Sequence, residues 1–245
     1  KLHQYELLIQ LGIRDLQLAI VDTQDSRLLF FEDYVLGDLS SHQQLFDLFK
    51  VLFDSHPVLQ AGFWKEVRVS IKNTKFVQVP GVLYLEEAAL EYLQFNAQVD
   101  SNREVVLACR NLQIDAVTVF AIQKDLFDWF KTLYTNTALR VVHQSTALIE
   151  GVLNYAKGTE KTPLYVYVDR FKLHILAVQN GKLIYYNQFL IKQFSDYVKY
   201  IMLVMKGLSF DQNTSEVVLW GYIGKNSPHY QEFVKYVRNV SFGER

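Results

Sequence analysis

A chain of 245 residues, half of them hydrophobic and 14% aromatic, has enough apolar material for one large core or two smaller ones, which excludes intrinsic disorder. With 25 Lys and Arg against 26 Asp and Glu, the net charge of −1 offers no global field for nucleic acid or an anionic membrane. No stretch reaches the roughly 18 consecutive apolar residues of a membrane span. The single cysteine, Cys109, excludes an intrachain disulfide and fits a cytoplasmic protein.

In chain order, Glu6–Leu11, Leu16–Asp22 and Arg27–Val35 read as three antiparallel strands, with turns at Gly12–Asp15 and Thr23–Ser26. Ser41-x-x-Gln44 is a capping box, and Leu45, Leu48, Phe49 and Leu52 form the helical stripe behind it, stopped by Pro57. Glu66–Ile71 and Phe76–Val79 read as a short hairpin across Asn73-Thr74, and Pro80-Gly81 breaks the pattern. Glu86–Phe95 reads as a helix, with Leu85, Ala88, Ala89, Tyr92 and Leu93 on one face. Glu104–Arg110 and Ala116–Ile122 are strands; Lys124–Tyr134 is a helix with Leu126, Trp129, Phe130 and Leu133 inward. A short strand at Leu139–His143 leads to a helix over Thr146–Ala156, for which Ser145 is the expected N-cap.

After a polar linker at Gly158–Thr162 the opening pattern returns. Leu164–Val168, Leu173–Val178 and Lys182–Phe189 are three strands, the last two joined by Asn180-Gly181, the strongest short hairpin signal in the chain. The amphipathic segment Phe194–Leu208 follows, then a strand at Glu216–Trp220 closed by Gly221-Tyr222-Ile223-Gly224. Ser227 with Pro228 starts the last helix, striped by Tyr230, Phe233, Val234 and Val237, and Val240–Phe242 ends the pattern as a short strand. Three strands then a helix, twice over, is an internal repeat.

This layout, with the Glu104–Ile122 strand pair and the Lys124 helix inserted in the first half, resembles the actin-like ATPase superfamily of actin, the heat-shock chaperones and sugar kinases. It is similar to the bacterial members PilM and FtsA, and most of all to a bacterial family known as a domain of unknown function with an actin-like ATPase fold. The resemblance covers essentially the whole chain and rests on layout and hydrophobic spacing. It implies an α/β fold of two ribonuclease-H-like halves, roughly 1–144 and 145–245, with a small subdomain inserted at about 80–122. It also implies a nucleotide cleft between the halves, built on an Asp-x-Gly turn in each half and a Gly-Gly turn in the second. The aspartates would organise magnesium, and the glycines would let backbone approach phosphate and adenosine.

Here all three turns depart from that pattern. The first is Gln10-Leu11-Gly12, with an amide for the carboxylate. The second is Asp169-Arg170-Phe171, with Phe171 for the glycine, and the third places Tyr222 after Gly221. The residues of a degenerate cleft are therefore Gly12, Asp169, Arg170, Gly221 and Gly224, with Arg170 expected to pair with Asp169. Read without the resemblance, Gly12 and Gly181 are turn glycines and Asp169 is a turn former.

Other chemistry is sparse. His3, His42, His56, His143, His174 and His229 have no metal-ligand spacing, and His174 in a strand reads as a hydrogen-bonded structural residue. Cys109 reads as buried and inert, and no nucleophile elbow, Walker loop or dinucleotide fingerprint occurs. The leading expectation is a non-catalytic actin-like module or scaffold with a protein partner, no nucleic acid, no membrane span, no metal and no cofactor. A nucleotide switch that binds ATP with little or no hydrolysis, and a phosphotransferase, are the alternatives.

Overall fold

A computed structural model describes residues 4–37, 39, 41–159, 161–193 and 195–243. It divides into two compact units, Lys1–Ala147 and Leu148–Arg245. His3 and Phe194, named above, lie outside the described residues.

In the first unit, β1 (Tyr5–Gly12), β2 (Asp15–Asp22) and β3 (Arg27–Val35) form an antiparallel meander; β4 (Glu66–Lys72) pairs with β1 and β8 (Ala138–His143) with β4, both in parallel, giving the order β3-β2-β1-β4-β8. Alternation decides the faces. Leu7, Ile9 and Leu11 are buried opposite Ile20, Leu18 and Leu16. A parallel step from β3 back to β4 needs a crossover, supplied by α1 (His42–Ser55) and α2 (Pro57–Gln60). The Ser41 side chain accepts from the Gln44 amide at 3.3 Å, so the capping serine starts α1 as the sequence indicates.

The stripe of α1 is rotated from expectation. Leu45, Phe46 and Phe49 are buried, whereas Leu48 is exposed. The reason lies in α4 (Lys124–Leu133): its Trp129 packs edge-on against Phe46, Phe49 and Phe53 at 5.5, 5.3 and 5.4 Å, and turns the aromatic side of α1 inward.

The expected hairpin between β4 and the next strand does not form. Both edges of β4 are taken, by β1 and β8. β5 (Phe76–Pro80) instead pairs antiparallel with β7 (Ala116–Gln123), which pairs with β6 (Glu104–Arg110), making a separate sheet of order β5-β7-β6. One face of β7, Val117, Val119 and Ala121, packs with Leu93; the other, Phe120 and Ile122, joins the core of the large sheet. Burial on both faces explains the unbroken apolar run of β7. The helix expected over Glu86–Phe95 is shorter: a 3-10 turn at Glu86–Ala88 precedes α3 (Ala89–Gln94), in which Leu93 alone is buried, and Leu85 is exposed.

α5 (Gln144–Tyr155) follows β8. In the second unit, β9 (Leu164–Val168), β10 (Lys172–Gln179) and β11 (Lys182–Leu190) form a meander, with β12 (Glu216–Gly221) and β13 (Asn239–Phe242) parallel beyond β9. The order β11-β10-β9-β12-β13 repeats that of the first sheet. The third strand of each meander even bulges at the same place, between Ile20 and Val21 on β2 and between Ala177 and Val178 on β10. Asn180 and Gly181 both have positive φ, 51° and 71°, as a two-residue primed turn requires. α6 (Ser195–Gly207) and α7 (Pro228–Phe233) supply the crossovers, the latter capped by Ser227, whose hydroxyl accepts from the Tyr230 amide at 3.2 Å.

Candidate functional site

The first turn closes β1 on β2. The parallel register sets Gly12 beside Lys72 at the ends of β1 and β4, and the chain returns through Asp15. A Cβ on Gly12 would lie 2.2 Å from Asp15 Oδ1, so glycine is what lets this carboxylate fold back over the strand end. Asp15 is buried, and its Oδ2 accepts from the Lys72 ammonium, also buried, and from Gln17 Nε2 at 3.3 Å. Gln17 Nε2 also reaches Asp33 Oδ1 at 3.1 Å, Gln10 Nε2 donates to Gln17 Oε1 at 2.8 Å, and Ser70 Oγ lies 3.5 Å from Gln10 Oε1. These residues are register neighbours, so the bonds form a polar row across β3, β2, β1 and β4. An amide at position 10 can donate on one side and accept on the other; a carboxylate could only accept.

Beside this turn lies a cavity of about 300 Å³ within the first unit, lined by Leu11, Gly12, Lys72, Lys75, Glu104 and Leu126 among others. Its position at the carboxyl ends of β1 and β4 is where open α/β sheets receive ligands. Its ionic groups are engaged: Lys72 with Asp15, Lys75 with both oxygens of Glu104 at 2.7 Å, and His42 with Asp125 at 2.9 Å. Behind it, His143 Nδ1 accepts from the Ser145 amide at 3.2 Å, which leaves Nε2 to donate to the Asn73 carbonyl at 3.1 Å. Ser145 therefore sits inside the first turn of α5, with its hydroxyl 2.8 Å from the same imidazole nitrogen, rather than at the cap.

The second turn joins β9 to β10. Asp169 is buried; its Oδ1 accepts from the Arg170 amide at 2.8 Å, and its own amide donates to Lys172 O at 2.9 Å. Oδ2 lies 3.9 Å from His174 Nε2, and His174 Nδ1 lies 3.0 Å from the Tyr186 hydroxyl, so acid, imidazole and phenol form a buried series. Burial, with the Asp169 charge second, pushes the Tyr186 hydroxyl far above the ordinary tyrosine range. His174 is thus the hydrogen-bonded strand residue the sequence indicated. The Arg170 guanidinium lies 4.4 Å above the Tyr222 ring. Phe171 is absent from the described residues with positive φ, so this reversal needs no glycine there.

Gly221 ends β12 beside Val168 with φ of 91°, and a Cβ there would lie 2.1 Å from the Val168 carbonyl oxygen, which accepts from the Tyr222 amide at 2.7 Å. The close approach of the paired strand end and the positive φ together demand this glycine. Gly224 is exposed, with open space around its Cβ position. The second unit thus brings Asp169, Arg170 and Gly221 together at the ends of β9 and β12; Gly12 belongs to the first unit. Among the described residues no group of three or more His, Cys, Asp or Glu side chains is placed to hold a metal ion. The donor set at the first turn does not fit a magnesium–phosphate group, because an ammonium already occupies the carboxylate.

The sequence matches, over residues 1–240, the family described as protein of unknown function DUF3822. The chain belongs to the DUF3822 family. Among solved structures, this DUF3822 protein is similar to a Bacteroides thetaiotaomicron protein with an actin-like ATPase fold and unknown function, with a TM-score of 0.85 and 24% identity over 98% of this chain and 91% of that one. It is also similar to a chain of the PilM–PilN type IV pilus biogenesis complex, with a TM-score of 0.63 and 10% identity over 98% and 88%. The actin-like ATPase fold is therefore shown. No curated protein matches the sequence.

Reading the DUF3822 sequence alone missed Asp15 and Lys72. Asp15 stands five residues after Gln10, and Lys72 ends an unremarkable strand. The only signal linking them is the parallel pairing of β1 with β4, which no local pattern encodes.

Proposed function

We propose that this DUF3822 protein is a non-catalytic actin-like module that works by holding a partner protein. The observation that carries the reading is the buried Lys72–Asp15 pair at the first turn. An ammonium supplies one fixed positive charge where magnesium-dependent phosphoryl transfer needs a divalent ion between carboxylate and phosphate. Displacing Lys72 would leave a buried charge unpaired, which costs several kcal/mol. In the second unit the Asp169 carboxylate faces His174, and Arg170 with Tyr222 covers the strand ends. Gly12, Asp169, Arg170, Gly221 and Gly224 are, on this reading, vestiges of nucleotide-binding turns. A protein with this fold, PilM, is found in complex with PilN, which supports a protein partner here. No helix among the described residues is long and apolar enough to cross a membrane, and the free, buried Cys109 supports a cytoplasmic setting.

Phosphate release from ATP with magnesium, and calorimetry with ATP, ADP and AMP, test the reading. The expected result is no release above a protein-free control and no binding heat. Magnesium-dependent release that scales with protein and disappears in both Asp169→Ala and Asp169→Asn would overturn it.

A further inference from the structure

The three most exposed large hydrophobic side chains of the described residues are Phe95, Val82 and Leu112, at 87, 83 and 75%, and all three belong to the small-sheet segment of the first unit. Leu83 and Leu85 add 63 and 56%. Topology puts four of these five together. Pro80 is paired with Ala116 and Arg110 with Val117, so β5 ends, β7 begins and β6 ends at one end of the sheet. The Gly81 amide donates to the Asp115 carbonyl at 2.9 Å and joins the Val82–Leu85 segment to the loop that carries Leu112. Tyr92 fixes that segment from beneath: its hydroxyl donates to Leu83 O at 2.5 Å and accepts from the Leu85 amide at 3.3 Å. The apolar side chains are thus presented on a tethered backbone. Single exposed apolar residues are ordinary on a protein surface; four at one end are not.

The charge around them is acidic. Arg110 and Asp115 face each other at 4.0 Å and cancel, while Glu86 and Glu87 are exposed beside Leu85. The Tyr84 hydroxyl is raised above its ordinary range by burial first and then by Glu86, with Arg110 acting the other way, which puts these groups within electrostatic reach of one another. An acidic rim repels anionic lipid headgroups and attracts basic side chains.

We propose that this end of the small sheet, Val82, Leu83, Leu85 and Leu112 with Glu86 and Glu87 at the rim, docks a partner protein through an apolar segment flanked by lysine or arginine. The proposal rests on the reading of the chain as an interaction module, and names the surface and the chemistry it recognises.

The test selects a phage-displayed library of random 12-residue peptides on the full chain and measures the selected peptides by fluorescence anisotropy. Peptides combining Leu, Ile or Phe with Lys or Arg should be enriched. Their affinity should fall at least tenfold in Leu112→Ser and, separately, in Glu86→Lys combined with Glu87→Lys. All these side chains are exposed, and unchanged thermal melts confirm that the variants fold. No enrichment over an unrelated bait, enriched peptides lacking basic residues, or affinities that both variants leave intact would overturn the proposal. So would self-association lost in Leu112→Ser, which assigns the surface to a second copy, or binding to anionic phosphatidylserine vesicles lost in the same variant, which assigns it to a membrane. Magnesium-dependent ATP hydrolysis would sink the module reading itself, whereas peptide failure without hydrolysis would sink only this surface.

Discussion

Lys72→Met is the sharpest perturbation of the first turn. It keeps the length of the side chain and removes the ammonium, leaving the Asp15 carboxylate buried against Gln17 without its cation. Both partners are almost wholly buried, at 4 and 2% side-chain exposure, so bulk water cannot take over. Breaking such a pair from one side costs about 3–5 kcal/mol. With a urea m-value of about 2 kcal/mol/M, the midpoint of the first unit should drop by about 1.5–2.5 M. Trp64 and Trp129 lie in that unit and Trp220 in the other, so tryptophan fluorescence in a Trp220→Phe background follows it selectively. Adding Asp15→Asn to Lys72→Met removes the stranded charge, and should recover most of the loss, because neutralising both partners can be close to neutral overall. A Lys72→Met loss below about 1 kcal/mol would mean that water reaches the carboxylate, and a double variant as unstable as Lys72→Met would mean that the pair is not directly coupled. Either result removes the principal physical support for the non-catalytic reading.

Gly221→Ala should destabilise the second unit by at least about 2 kcal/mol, since it combines a left-handed φ with a backbone collision at Val168; the calorimetric transition should fall by roughly 4–8 °C for each kcal/mol, and an unshifted transition would refute the close-approach account. Stability should also fall in alkali. Burial pushes the Tyr165 hydroxyl up to about 12, and the hydrogen bond to Glu32 does the same for Tyr34. The unfolded chain loses these protons from about pH 10 while the folded chain keeps them, so the neutral-hydroxyl contribution is complete below pH 10 and is lost between about 10 and 12. Buried Tyr165 alone contributes a slope of about −1.4 kcal/mol per pH unit there, and Tyr165→Phe should flatten the alkaline limb of urea midpoints measured from pH 9 to 11.5. Equal slopes in the two proteins would refute it.

The features legible in the sequence are those set by neighbours along the chain. Strand alternation at Leu7-Ile9-Leu11, the positive-φ pair Asn180-Gly181, and the caps at Ser41 and Ser227 depend on backbone sterics and bonds that span a few residues. So does the repeated meander, which forms three of the five strands of each sheet. The departures of the three turns could be read directly as well, because they are residue identities.

What the sequence withheld depends on pairing at a distance. β5 looked like the partner of β4 until β1 and β8 occupied both edges. Leu48, not Phe46, was on the inward stripe that periodicity indicates, until Trp129 chose the aromatic side of α1. Lys72 meets Asp15 only because β1 and β4 run parallel in one register, 57 residues apart in the chain. Local periodicity says which face of an element is buried, but not what lies opposite; that is set by which hydrogen-bonding edges and hollows remain when the other elements have docked.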